Sequence, residues 1–192
     1  MINLFKYVSV LLCTLLFIPE IAFAHPGHGQ GFLGGIVHPF TGIDHILGML
    51  GMGAWAALRA NKKGIWFFVI YLTGLLVGGV IGITFNLHIN PDIYIALSIA
   101  MTGCFIIRRS DTNWMTQLIL TSSFALGHGV AHGMEVPRLA HPTEFILGFL
   151  ISSSIIFCLG FLFGKKIHTQ SQLKRNTGYI LFLSAIGLMM ES

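Results

Sequence analysis

The stretch GFLGGIVHPFTGIDHILGMLGMGAWAAL, residues 31–58, decides how this chain is expected to fold. It carries one formally charged residue, Asp44, in a run that is long and apolar enough to cross a bilayer. The rest of the chain is similar: 54% of its residues are hydrophobic and 9% are charged, whereas ordinary globular domains have about 25% charged residues. The composition therefore predicts an all-α, polytopic membrane protein.

Six apolar spans are expected along the chain. They lie at 32–58, 64–85, 92–107, 114–136, 142–164 and 177–190. A hydrocarbon core of about 30 Å needs about 20 helical residues, so the third and sixth spans are short. No linker separates two domains, and residues 25–192 are expected to form one six-helix transmembrane domain.

Residues 1–24 have the organisation of a signal peptide. Lys6 gives a positive start, residues 7–18 are apolar, and Ala22-Phe23-Ala24 is a small-residue cleavage site. We expect cleavage after Ala24, which places the mature N-terminus outside the cytoplasm. An uncleaved membrane anchor is the alternative.

Basic residues concentrate in alternate loops. Nine of them follow the first, third and fifth spans: Arg59, Lys62, Lys63, Arg108, Arg109, Lys165, Lys166, Lys174 and Arg175. The other connections hold only Arg138. The positive-inside rule therefore predicts an inner-membrane protein with both mature termini on the outer, periplasmic side. Because these residues form short clusters between apolar spans, the net charge of +4 does not indicate a nucleic-acid partner.

Small residues recur at every fourth position in two of the spans. They are Gly74, Gly78 and Gly82 in the second span and Ala125, Gly129 and Gly133 in the fourth. Such ladders let helix backbones approach closely in lipid.

The polar residues of the first span are concentrated in HPFTGIDH, residues 38–45. His38 and His45 are seven positions apart, so they share one face of a continuous helix. Asp44 precedes His45, and Pro39 frees or bends the local backbone.

The fourth span contains HGVAHGME, residues 128–135. His128 and His132 are four positions apart, and Glu135 follows three positions later, so all three lie on one helix face. Two imidazoles at this spacing suit a divalent transition metal, and a carboxylate one turn on can ligate it or orient a ligand.

The two clusters are expected at the same depth, in the outer half of the membrane. If the first and fourth spans touch, four imidazoles and two carboxylates converge. Ionisable groups inside a membrane usually mark a site or a pathway, although hydrogen bonds between helices are the plainer alternative. The residues alone leave nickel, cobalt, zinc and copper open. His25 and His28, at the mature N-terminus, are expected either to collect metal loosely or to be an ordinary polar end.

With these two motifs the sequence resembles the HupE/UreJ family of hydrogenase and urease accessory membrane proteins. The family has a histidine, five further residues and then Asp-His, and a later His-Gly-x-Ala-His-Gly-x-Glu. Members often carry phenylalanine before the second motif, where this chain has Gly127. The resemblance implies uptake of nickel, or in some members cobalt, for metalloenzyme assembly. It also implies metal-binding roles for six residues: His38, Asp44, His45, His128, His132 and Glu135.

The sequence therefore predicts a permease rather than an enzyme. Its partners are the bilayer and a divalent metal ion, with hydrogenase or urease maturation proteins served indirectly, and the ion is cargo rather than a permanent cofactor. The main alternative is a membrane cytochrome with histidine-ligated haem, although the four-residue spacing disfavours it. A metalloprotease is disfavoured because His128-Gly-Val-Ala-His132 lacks the glutamate of H-E-x-x-H.

Overall fold

The computed structural model describes residues 31–59, 64–85, 87, 90–108, 113–136 and 141–191. Within these ranges the chain forms seven α-helices and no strand, which confirms the all-α prediction for this part of the chain. The helices are α1 (Phe32–Val37), α2 (Ile43–Arg59), α3 (Gly64–Thr84), α4 (Pro91–Ile107), α5 (Trp114–Glu135), α6 (Pro142–Ile167) and α7 (Ser171–Glu191). The expected signal peptide, His25 and His28 lie outside the described residues.

The first expected span is divided into two helices. A 3-10 turn, His38–Phe40, separates α1 from α2. Pro39 lies in this turn, where its missing N–H and its ring prevent an α-helical hydrogen bond. The hydroxyl of Thr41 donates to the carbonyl oxygen of His38 at 2.7 Å and satisfies part of the interrupted backbone. The span expected at 32–58 is therefore two helices joined by a turn, and the expectation that His38 and His45 share one helix face is wrong.

Polar residues fix several helix ends. The side chains of Asn90 and Asn113 accept hydrogen bonds from the backbone N–H groups of Asp92 and Thr116, which caps α4 and α5. The helix that contains the sixth expected span begins before residue 177, because α7 starts at Ser171. Its first turns are polar but contain good helix formers, so hydropathy alone misplaces the boundary.

The two predicted small-residue ladders pack against each other and join α3 to α5. A Cβ atom on Gly129 would collide with the carbonyl oxygen of Leu75, and one on Gly133 with that of Gly79. Contacts advance in the same direction along both helices, from Gly74 opposite Ala125 onward, so α3 and α5 are parallel. The predicted close approach is confirmed.

A second glycine-packed pair joins α6 to α1 and α2. Gly148 packs on the backbone of Phe32, and Gly160 packs on that of Leu50. These helices are also parallel. Gly160 and Gly164 form a G-x-x-x-G pattern, which is typical of close helix contacts in membranes. Helix α4 packs against α7, α2 and α5, so it links the two pairs.

Among the described residues, α3 and α6 are long and apolar enough to cross a membrane, and α4 is a shorter apolar helix. Large apolar side chains remain exposed on several helices, as Ile65 and Val80 on α3 and Leu159 and Leu162 on α6 illustrate. Exposed apolar surface of this kind usually marks contact with a membrane or a partner.

Candidate metal site

Four ligand-type side chains meet where the 3-10 turn and the start of α2 approach the end of α5. One nitrogen or oxygen atom from each lies within 4.8 Å of the chosen atoms of the other three. This His–Glu cluster consists of His38, His45, His132 and Glu135. The backbones of α2 and α5 make little direct contact, so the side chains themselves bridge the gap.

Three atoms form the tightest part of the His–Glu cluster. The Nε2 atom of His38 lies 2.9 Å from Nδ1 of His132 and 3.0 Å from Oε2 of Glu135. The third side of the triangle, from His132 Nδ1 to Glu135 Oε2, is 3.3 Å. The tautomers of the two histidines decide which nitrogen donates a hydrogen bond.

These separations suit a shared metal ion. Two ligands bonded at about 2.0–2.1 Å and subtending 90–109° lie about 2.9–3.4 Å apart. All three sides of the triangle fall in this range. The same distances also suit hydrogen bonds, so the side chains can hold their positions by hydrogen bonding without a metal.

His45 joins the cluster from α2. Its Nε2 atom lies 3.7 Å from Oε2 of Glu135, and its ring centroid is 4.3 Å from that of His132. Its other nitrogen, Nδ1, lies 3.0 Å from Oδ2 of Asp44, although the angle falls outside hydrogen-bond geometry. Asp44 therefore lies beside a ligand-type imidazole of the cluster, a position from which carboxylates commonly orient metal-binding histidines.

His128 lies one helical turn before His132 in α5, and their ring centroids are 4.7 Å apart. It is outside the His–Glu cluster, but its ring is 5.9 Å from that of His45. The Nε2 atoms of His128 and His132 are buried and have no hydrogen-bond partner among the described residues. Unsatisfied buried nitrogens are costly, which is consistent with a role beyond packing.

The cluster has an open side and a closed side. The side chains of His38 and Glu135 are 22% and 27% exposed, whereas His132 and His128 are 2% and 3% exposed. A ligand arriving from the exposed side would therefore meet His38 and Glu135 first and His128 last.

The structure adds three residues that sequence reasoning missed. Phe145 and Phe149 of α6 form an apolar wall, with ring centroids 5.4 Å from His38 and 4.4 Å from His132. Gly48 makes room for His128, because a Cβ atom there would lie 3.0 Å from that ring. The four-residue spacing of the two phenylalanines indicates that they share one face of α6, but many other apolar residues of this helix have the same spacing, so it could not single them out.

The six metal-site residues predicted from the sequence thus take two kinds of position. Four form the His–Glu cluster, while Asp44 and His128 border it. The break after His38 also changes the geometry: two turns of continuous helix separate residues by about 11 Å, yet the rings of His38 and His45 are 5.5 Å apart. The metal-binding roles of all six residues stay predictions.

The apolar helices and the polar cluster between them indicate a helical membrane protein with a candidate metal site. The chain matches the family described as "HupE / UreJ protein" over residues 12–190. It is 38% identical to "Protein HupE" of Rhizobium leguminosarum bv. viciae over 162 residues, which are 81% of this chain and 82% of that protein. The chain therefore belongs to the HupE/UreJ family. No solved structure matches it.

Proposed function

We propose that this protein is an inner-membrane permease for a divalent transition metal, with nickel the preferred ion and cobalt a second substrate. The observation that carries the proposal is the His–Glu cluster, because two distant segments bring three imidazoles and a carboxylate together in a largely apolar bundle. Imidazole and carboxylate ligands suit these metals. The choice of nickel rests on family membership, through the link to hydrogenase and urease assembly.

The proposal includes six membrane crossings, with α1 and α2 together forming the first. Spans that are an even number of crossings apart, as the second and fourth or the first and fifth, must cross in the same direction. The parallel packing of α3 with α5, and of α1 and α2 with α6, supports this arrangement. A reporter enzyme that is active only in the periplasm should be active when fused after residue 191 and inactive when fused after Arg59. The reverse pattern would contradict the proposed orientation of the chain in the membrane.

In the proposed mechanism, a hydrated ion arrives from the outer side, where His38 and Glu135 are exposed. The ion exchanges water for the imidazoles of His38, His45 and His132, while Glu135 and Asp44 offset its charge. It then passes inward toward His128. Binding must be moderate, because a site that holds its ion too tightly cannot release it.

The chain is further proposed to receive its ion from loose capture at His25 and His28 and to supply hydrogenase or urease maturation indirectly. Family membership supports the second part of this proposal. Removing His25 and His28 should therefore lower uptake only at low external metal concentrations.

Metal accumulation by intact cells tests the function. Cells producing the protein should accumulate nickel, cobalt should compete, and His45→Ala or His132→Ala should abolish accumulation while the protein stays in the membrane. His168→Ala is the matched control, because His168 is exposed at the opposite end of α6. Unchanged uptake in His132→Ala would refute the proposal, and a haem Soret band in the purified protein would favour the cytochrome.

A further inference from the structure

A second site candidate lies at the other end of the bundle. A cavity of about 420 Å³ opens between the C-terminal ends of α2 and α4 and the N-terminal end of α7. Its volume is within the range of about 300–1,000 Å³ typical of small-molecule sites. Four basic side chains line it: Arg59, Arg108, Lys174 and Arg175. We call it the basic cavity.

Among the residues that the structure describes, the walls of the basic cavity hold no group that neutralises its positive charge. No carboxylate is present among the described residues that line it. Arg59 donates to the carbonyl oxygens of Phe105 and Arg108 at 3.2 and 2.7 Å, and Arg175 donates to Oε1 of Gln172 at 2.7 Å. Both guanidinium groups are thus held in place by neutral oxygens.

The guanidinium of Arg59 has further capacity. It offers five N–H donors, and the two hydrogen bonds found for it use only one of its nitrogens. The N-terminal end of α7, at Ser171 and Gln172, adds the partial positive charge of a helix dipole. The basic cavity is therefore suited to an anion with several oxygens, and phosphate groups are the common partners of such arginines.

The remaining wall of the basic cavity is apolar and includes Leu58, Phe105 and Ile107. A free phosphate ion would gain nothing from these side chains, whereas a phospholipid can place its phosphate on the cations and its glycerol and acyl groups against the apolar wall. Basic pockets between transmembrane helices on the cytoplasmic side commonly bind anionic lipid headgroups.

We propose that the basic cavity binds the phosphate headgroup of an anionic phospholipid from the cytoplasmic leaflet. The inference rests on the membrane orientation proposed above and does not depend on the metal site. A bound lipid would connect α2, α4 and α7 at an end of the bundle where their positive charges otherwise repel one another.

Native mass spectrometry of protein released from nanodiscs tests this proposal. Protein from phosphatidylglycerol discs should retain one anionic lipid, and the double variant Lys174→Gln/Arg175→Gln should retain at least several-fold less. The matched control is Lys165→Gln/Lys166→Gln, which removes the same charge from the end of α6 but not from the cavity lining. It should retain lipid like the unmodified protein.

Three outcomes would overturn the proposal. They are equal loss of lipid in both double variants, equal retention of phosphatidylcholine, and thermal stabilisation by inorganic phosphate in phosphatidylcholine discs as large as that given by phosphatidylglycerol. The last result would assign the cavity to a soluble phosphate. If Lys174→Gln/Arg175→Gln fails to fold, Arg108→Gln takes its place, because Arg108 is exposed. Nickel binding measured on the same samples reports separately on the metal site.

Discussion

The Nε2 atom of His38 lies 2.9 Å from the Nδ1 atom of His132, although 94 positions separate the two residues in the chain. This contact joins the turn after α1 to the last turns of α5. Each residue belongs to one of the two motifs that identify the family. Their contact brings ligand-type side chains from both motifs into one cluster.

Replacing Asp44 with asparagine should weaken metal binding without removing a ligand of the His–Glu cluster. The carboxylate lies 3.0 Å from Nδ1 of His45, and loss of such a partner typically costs about 10–100-fold in metal affinity. Titration of nickel into purified protein measures the effect. Asp92→Asn is the control and should bind normally, because Asp92 is exposed at the start of α4. Normal affinity in Asp44→Asn would remove Asp44 from the site.

Replacing His128 with alanine should slow transport more than it weakens binding. His128 is outside the His–Glu cluster, one turn deeper, so ion capture can proceed without it while inward passage loses a ligand. Uptake into proteoliposomes and equilibrium binding, measured on the same preparation, separate the two effects. A loss of affinity as large as that in His132→Ala would instead make His128 a primary ligand.

Placing a methyl group on Gly129 should destabilise the bundle. The new Cβ atom would collide with the carbonyl oxygen of Leu75, and overpacking of this kind typically costs about 1–3 kcal/mol. Gly127→Ala is a close control on the same helix, since nothing lies within 4 Å of a Cβ atom there. Thermal unfolding in detergent should rank Gly129→Ala below Gly127→Ala. Equal melting temperatures would argue against tight packing of α3 on α5.

Acidification should reduce metal binding. Protons and metal ions compete for the same imidazole lone pairs, and free imidazole is mostly protonated below about pH 6. Protonation also adds positive charge beside the ion, so binding is expected to be stronger on the alkaline side. Nickel titrations between about pH 8 and about pH 5.5 measure this change in affinity, because that range spans the usual imidazole pKa of about 6.5. An affinity independent of pH would contradict histidine ligation.

Much of the site could be predicted from local patterns. The four- and three-residue spacings of His128, His132 and Glu135 set them on one face of α5, because helix geometry alone fixes that relationship. The small-residue ladders of α3 and α5 were equally visible, although the sequence did not show that they pack against each other. The segment around Pro39 was harder, since a proline permits either a bend or a complete break, and the surrounding packing decides between them.

Other features depend on tertiary structure. Gly48 makes room for His128 only because the ring of His128 reaches α2 at that position, and Phe149 lies against His132 only because tertiary packing brings the two rings together. A single sequence gives no information on such contacts. The basic cavity has the same origin: Arg59 and Arg175 were assigned to cytoplasmic loops, but nothing in the sequence places them around one space.

The two glycine-packed pairs have a consequence for turnover. His38 and His45 belong to one pair, and His132 and Glu135 belong to the other. An ion ligated from both would act as a cross-link between two stiff halves, worth about 2.7 kcal/mol of added stability at one hundred times its dissociation constant. On the proposed path, in which the ion moves inward toward His128, this cross-link would be lost as the ion leaves. The cargo would thus brace the arrangement that it must leave.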